Sequence, residues 1–256
     1  MTAEEQLPSY VRTAWGLGPE ARRGRPAELS LDQIVAAATR LADDGGLAAV
    51  SMASVAKALG YSTMSLYRHV GSKDELLELM VDEVFSRPPA AGADDWRAGL
   101  KQWAAMLMDE MRAHGWILDV PVSGPPMMPK ALAWMDWALG VLADEPLIPL
   151  EKLSVLMLVN GYARNEVSLA RGLERSRERR GITTDEEAVE YATGLTELVA
   201  RAPLPHLSAV VREGLFDVSG SSDGVDDEDA FMVDFGLERI LDGIEALIDK
   251  RRAAPS

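Results

Sequence analysis

The chain has no cysteine among its 256 residues and only three histidines, His69, His114 and His206. The first absence removes disulfides, thiolate zinc sites and cysteine nucleophiles together. The second argues against a histidine-rich metal site. No run approaches the roughly 18 uninterrupted apolar residues that a membrane helix needs. Met1 to Leu17 carries Glu4 and Glu5 and lacks the apolar core of a signal peptide, so a cytoplasmic protein without a membrane span is expected. Strand-like alternation is missing as well. Nor is there a nucleophile–base pair, a Gly-rich phosphate loop or a metal-ligand spacing. No catalytic residue, metal or cofactor is therefore expected.

What remains is ample for a core, since 47% of the residues are apolar and 26% charged. At about 150 residues per domain, the length suits one large domain or two small ones. The net charge of −15 is unevenly spread. Between Arg22 and Lys73 there are seven Lys/Arg against four acids, or +3, while residues 1–21 sum to −2 and residues 74–256 to −16. Screening limits exposed charges to about 8–10 Å, so a local basic surface can hold phosphates on an acidic molecule.

Helical periodicity runs through nearly every long segment, which predicts an all-α fold. Ser30 and Gln33 form a capping-box pattern ahead of Leu31, Ile34, Val35, Ala38, Leu41 and Ala42, and Gly45-Gly46 ends that helix. Ser51 opens a short helix with Val55, Ala56 and Leu59. Gly60-Tyr61-Ser62 breaks it, and a third helix runs from about Thr63 to His69. Ser72 and Glu75 repeat the capping-box pattern and open a fourth helix to Val84. Arg87 to Gly92 reads as a boundary. Beyond it, helices are expected from Trp96 to Met111, over 130–143 and 150–177, from a cap at Thr184 and Glu187 towards Arg201, and from Phe231 to about Lys250. Pro121 to Pro129 is a turn-rich connection, and Ser219 to Asp229 an acidic loop. The domains are thus a flexible extension at 1–29 with a basic arm (Arg22, Arg23, Arg25), a unit at 30–87, and a larger one at 94–252.

Two short helices joined by a Gly-containing turn fit a helix-turn-helix, whose second helix enters the major groove of double-stranded DNA. Thr63, Ser65, Arg68, Tyr67 and His69 suit that role, while Leu66 turns inward. Hydroxyls and Arg reach base edges or phosphates, and Tyr bonds a phosphate. Lys73 adds a charge at a helix start, where free N–H groups also favour phosphate. On pattern alone, a three-helix packing unit without a DNA role explains the same residues equally well.

The run from Met52 to Leu77, MASVAKALGYSTMSLYRHVGSKDELL, resembles the DNA-binding domain of the tetracycline-repressor family. Its most specific elements are Leu66-Tyr67-x-His69-Val70 and Ser72-Lys73-Asp74-Glu75-Leu76-Leu77. Weaker likeness continues through Trp96, His114-Gly115-Trp116, Gly124-Pro125 and Phe235 to Gly243, which resemble the C-terminal domain of the tetracycline repressor. The resemblance implies an all-helical homodimer with an N-terminal reader and a larger domain that senses a ligand and dimerises. It places DNA contacts on Ser51, Thr63, Met64, Ser65, Tyr67, Arg68, His69 and Lys73. Where the tetracycline repressor has a base-reading arginine early in the first motif helix, this chain has Ala53 beside Ser54, which is itself a candidate DNA contact. A different operator is therefore implied, and a dimer implies that it is palindromic.

Residues 96–137 hold five of the six tryptophans and six of the twelve methionines. Trp103, Met106, Trp116, Met127, Met128, Trp134 and Trp137 could line a cavity for a small apolar or amphipathic effector, although residues at this spacing also make ordinary core. Asn160, Arg164 and Asn165 could fix a ligand's polar group or bond across a dimer interface, which is expected on the helices at 150–177 and 231–250. The tetracycline repressor binds its drug with magnesium, but His114 has no accompanying ligand pattern and reads as structural. The function expected is a repressor released by an effector. The alternative is a DNA-binding regulator without a small-molecule ligand, controlled by a protein partner or by expression level, for which the acidic loop is the one hint.

Overall fold

The computed structural model describes residues 6–17, 29–85, 88, 95–122, 124–214 and 228–253. The basic arm, the boundary at 87–92 apart from Pro88, and most of the acidic loop lie outside them. Among the described residues the α-helices are α1 (Ser9–Ala14), α2 (Leu31–Gly45), α3 (Met52–Leu59), α4 (Thr63–Leu66), α5 (Lys73–Val84), α6 (Trp96–Ala113), α7 (Pro129–Val141), α8 (Pro149–Arg180), α9 (Thr184–Arg201), α10 (Pro205–Arg212) and α11 (Glu228–Ala253). Short 3₁₀ turns cover Leu47–Ala49 and Gly115–Asp119, and no strand is present among the described residues. The fold is all-α, as the periodicity predicts.

Local chemistry sets most boundaries. Ser30 and Gln33 form the reciprocal capping box on α2, which Gly46 ends at φ 71°. On α9 the cap lies one residue earlier than expected: Thr183, not Thr184, accepts from the Glu186 N–H, and Glu186 reaches back to it. Two helices have no forecast in the sequence pattern. One is α10, a short segment with Pro205 in its first turn. The other is α1, within the stretch expected to be a flexible extension. Val11 of α1 is buried in the core of the reader, because a single apolar face suffices to dock so short a helix.

The chain divides into two compact units, residues 1–167 with 243–256, and residues 168–242. This division differs from the sequence boundary at 87–94. In the first unit an apolar cluster joins Ile34, Val55, Leu66, Leu76 and Met80 of the reader to Trp116, Ile117 and Met128. Burying such side chains stabilises by about 1.5–3 kcal/mol each. On α6 the buried stripe is Leu100, Trp103, Leu107 and Met111, with Trp96 half-buried. Here α6 and α7 cross closely: a Cβ on Gly99 would stand 2.5 Å from Cγ1 of Val141. In the second unit, no side chain of α9 or α10 is buried.

Candidate nucleic-acid interface and sensing region

The reading motif is built by its caps. The Ser54 N–H donates to Ser51 Oγ at 3.0 Å, and the Ser51 N–H to Ser54 Oγ at 2.8 Å. Ser54 is half-buried, and its hydroxyl also donates to the Ala49 carbonyl at 2.8 Å. It therefore shapes the turn, whereas Ser51 stays exposed. Gly60 follows α3 at φ 75°, a left-handed conformation that glycine adopts without strain. Ser62 then caps α4 by accepting from the Ser65 N–H. Leu66, fully buried, fixes the inner face of α4.

Opposite Leu66 the motif presents Met64 (70% exposed), Tyr67 (48%), Arg68 and His69, with Thr63 and Ser65 half-buried. The helix expected over 63–69 ends at Leu66. Residues 67–69 continue as a turn, with the Tyr67 N–H donating to the Thr63 carbonyl and the His69 N–H to that of Leu66. The tighter bond from residue 69 to 66 is a common way to close a helix. Lys73 is exposed at the start of α5, where Ser72 accepts from the Glu75 N–H at 3.1 Å. The reciprocal half of the expected box is absent. Glu75 instead accepts from the Gly71 N–H at 2.9 Å and from Ser9 Oγ at 2.6 Å.

The residues expected to line an effector cavity divide. Trp103 is buried, and its indole Nε1 has no hydrogen-bond partner among the described residues. Trp134 is buried edge-on to Phe85, ring centroids 5.2 Å apart. Met106 and Trp137 are half-buried, while Asn160 and Asn165 are exposed. Trp116 and Met128 belong to the reader's cluster, and the Trp116 indole N–H donates to Asp43 Oδ1 at 2.7 Å. Met127 lies at the surface, and its carbonyl accepts from Trp15 Nε1 at 2.8 Å. The Arg164 guanidinium donates to the Leu118 carbonyl at 3.1 Å. His114 Nδ1 lies 2.8 Å from Asp43 Oδ1. Among the described residues no three His, Asp or Glu side chains converge on a metal position.

Two carboxylates unmarked by any motif hold the reader in place. Asp43 of α2 grips His114 and Trp116, partners more than 70 positions away that no local pattern announces. Asp82 of α5 is the one buried charged side chain among the described residues. Its Oδ1 accepts the N–H groups of Lys130 (3.0 Å) and Ala131 (2.9 Å) in the first turn of α7. Burial raises the Asp82 carboxyl above the usual aspartate value, and these two N–H groups draw it part-way back. Its signal in sequence is faint: a carboxylate three residues after Leu79, on a buried helical face.

Residues 34–80 match the domain described as "Bacterial regulatory proteins, tetR family", and residues 88–248 match "Tetracyclin repressor-like, C-terminal domain". The chain belongs to the tetracycline-repressor family. Within it, the chain is 37% identical over 247 residues to the HTH-type transcriptional repressor DrrR1 of Streptomyces coeruleorubidus, covering 93% of this chain and 85% of that one. The apo structure of ActR from Streptomyces coelicolor superposes with a TM-score of 0.68 at 26% identity, over 88% of this chain and 99% of ActR. ActR in complex with actinorhodin gives 0.66 at 25%, over 86% and 98%. Members of this family are helix-turn-helix regulators of transcription, and α3 and α4 are the corresponding helices here. Among the described residues no helix is long and apolar enough to cross a membrane.

Proposed function

We propose that this family member is a cytoplasmic homodimeric repressor that a small apolar or amphipathic effector releases from a palindromic operator. Residues 30–87 act as the reader, and residues 94–252 sense the effector and dimerise. The observation that carries the effector reading is the unpartnered Nε1 of buried Trp103. A buried donor without an acceptor costs about 1–3 kcal/mol, and an effector oxygen would remove that cost. The likeness to ActR, solved with actinorhodin bound, supports the same reading. Leu150, Leu153, Met157 and Leu158 leave α8 with an exposed apolar face, which supports a second copy as its cover. Such a dimer presents its two α4 helices about one DNA turn apart, roughly 34–36 Å.

Reading and positioning separate by mutation. Tyr67→Ala or Lys73→Ala should weaken binding to all DNA duplexes and lower the salt slope by about one per lost phosphate contact. Thr63→Ala or Arg68→Ala should change the preferred operator, by about 1–3 kcal/mol at one base pair. Identical behaviour of both pairs would overturn this assignment. For release, effectors come from a thermal-shift screen, since a true ligand stabilises by mass action. Operator should then weaken effector binding about 5–150-fold, the reciprocal of release, and Trp103→Phe should weaken it about threefold to tenfold without operator. Equal effector affinity with and without operator would favour a regulator without a ligand.

A further inference from the structure

Residues 127–131 lead into α7 and form its first turn, and hydrogen bonds and one buried side chain bind them to the reader and the segment of α1. Asp82 accepts the N–H groups of Lys130 and Ala131. Lys130 Nζ donates to the Glu83 carbonyl at 3.0 Å and to Glu83 Oε2 at 2.9 Å. Trp15, which caps the C-terminus of α1, donates to the Met127 carbonyl, and the Met128 side chain lies in the reader's apolar cluster. The same α1 reaches the other end of α5, where Ser9 Oγ donates to Glu75, two residues from Lys73. Residues 9–15 thus contact both the first turn of α5 and the chain that leads into α7.

We infer that Asp82 is a positioning residue that locks the first turn of α7 to the reader, with Trp15 as a second grip, so that the tilt of the reading helix follows α7. A helix N-terminus offers N–H groups without intrahelical partners, and a carboxylate there gains both hydrogen bonds and a favourable dipole. Here the carboxylate comes from another helix. The bond therefore fixes two helices to each other rather than one helix to its own cap. A buried charge tolerates little displacement from its donors, because losing them leaves it unpaired. The contact thus transmits motion and resists slip. This inference draws on the effector reading above only for the source of the motion; the lock itself exists without effector.

The absence of cysteine makes the test direct. Exposed Ala58 of α3 and exposed Ala133 of α7 are replaced by cysteine, spin-labelled, and the labelled chains diluted into excess unlabelled chain. The distance between reader and α7 is then measured by electron–electron resonance without effector. Asp82→Leu should broaden that distribution and lower affinity for a duplex selected from a random pool by about tenfold. Asp82→Asn keeps an acceptor oxygen and should restore both. Trp15→Phe, at a half-exposed ring that does not endanger the fold, should broaden the distribution to a smaller extent. A merely structural Asp82 would lower the melting temperature and leave the width unchanged. An unchanged width in Asp82→Leu overturns the proposal; should that variant not fold, an unchanged width in Trp15→Phe does so. Absence of any stabilising ligand would count against effector release but would leave these widths to decide the lock.

Discussion

The reader and the α9–α10 segment are built by the same local rules and end in opposite states. Both have reciprocal caps, Ser51 with Ser54 on α3 and Thr183 with Glu186 on α9. Both have helices with an apolar face. The reader closes those faces on one another, with Ile34, Val55, Leu66 and Leu76 fully buried. Val189, Leu198, Leu204, Leu207 and Val210 instead stay exposed. Caps and periodicity thus specify where a helix begins and which face is apolar. They do not specify what covers that face.

Truncation in the two regions should give the largest contrast. Leu66→Ala should destabilise by about 2–5 kcal/mol in chemical denaturation, whereas Leu198→Ala, at an exposed site, should stay within about 0.5 kcal/mol. A Leu198→Ala loss as large as that at Leu66, and dependent on protein concentration, would place α9 inside a dimer. Glycines should then differ in sign. Gly60→Ala forces a Cβ into a left-handed turn and should cost about 1 kcal/mol. Gly194→Ala, in open space on α9 with ordinary helical backbone, should stabilise by up to about 1 kcal/mol. Equal signs would mean that α9 is closely covered.

The smallest effect concerns pH. The Asp82 carboxyl is raised above its ordinary 3.8, so the folded state holds this proton more tightly than the unfolded chain does. Stability of the parent relative to Asp82→Asn should therefore rise as pH falls from neutral towards that ordinary value. Glu151 has the opposite sign. Its hydrogen bond to Arg251 lowers its pKa, so its contribution is present above the ordinary glutamate value and fades as pH falls through the lowered one. Melting temperatures of Asp82→Asn and Glu151→Gln against the parent, followed across this range, should diverge in opposite directions. Parallel curves would remove the distinction between an acid raised by burial and one lowered by its arginine partner.

Much of the reader is legible in the sequence because its determinants are local. Ser30 with Gln33, Ser51, Gly60 and Ser72 each act within four residues, and the motif carrying Leu66 to Leu77 lies in one run. The joints are not legible. Asp43 meets Trp116, Trp15 meets Met127 and Asp82 meets Lys130 across 48 to 112 positions. Composition of the tryptophan-rich stretch also misleads. Trp116 and Met128 look like Trp103 in sequence, yet they pack into the reader, because the turn at Gly115–Asp119 and the chain before Pro129 fold back upon it. A helix such as α1, with one deeply buried side chain, is too short for periodicity to reveal.

The close crossing at Gly99 also bears on how this protein can change over generations. Alanine is one nucleotide away from glycine, yet here the extra methyl would strike Val141 on the facing helix. The spacing of α6 and α7 is therefore set by contact and cannot drift by small steps. Trp103 lies one turn from that crossing, at i+4. Substitutions around this crossing are thus most accessible as exchanges of single side chains within a frame of constant width.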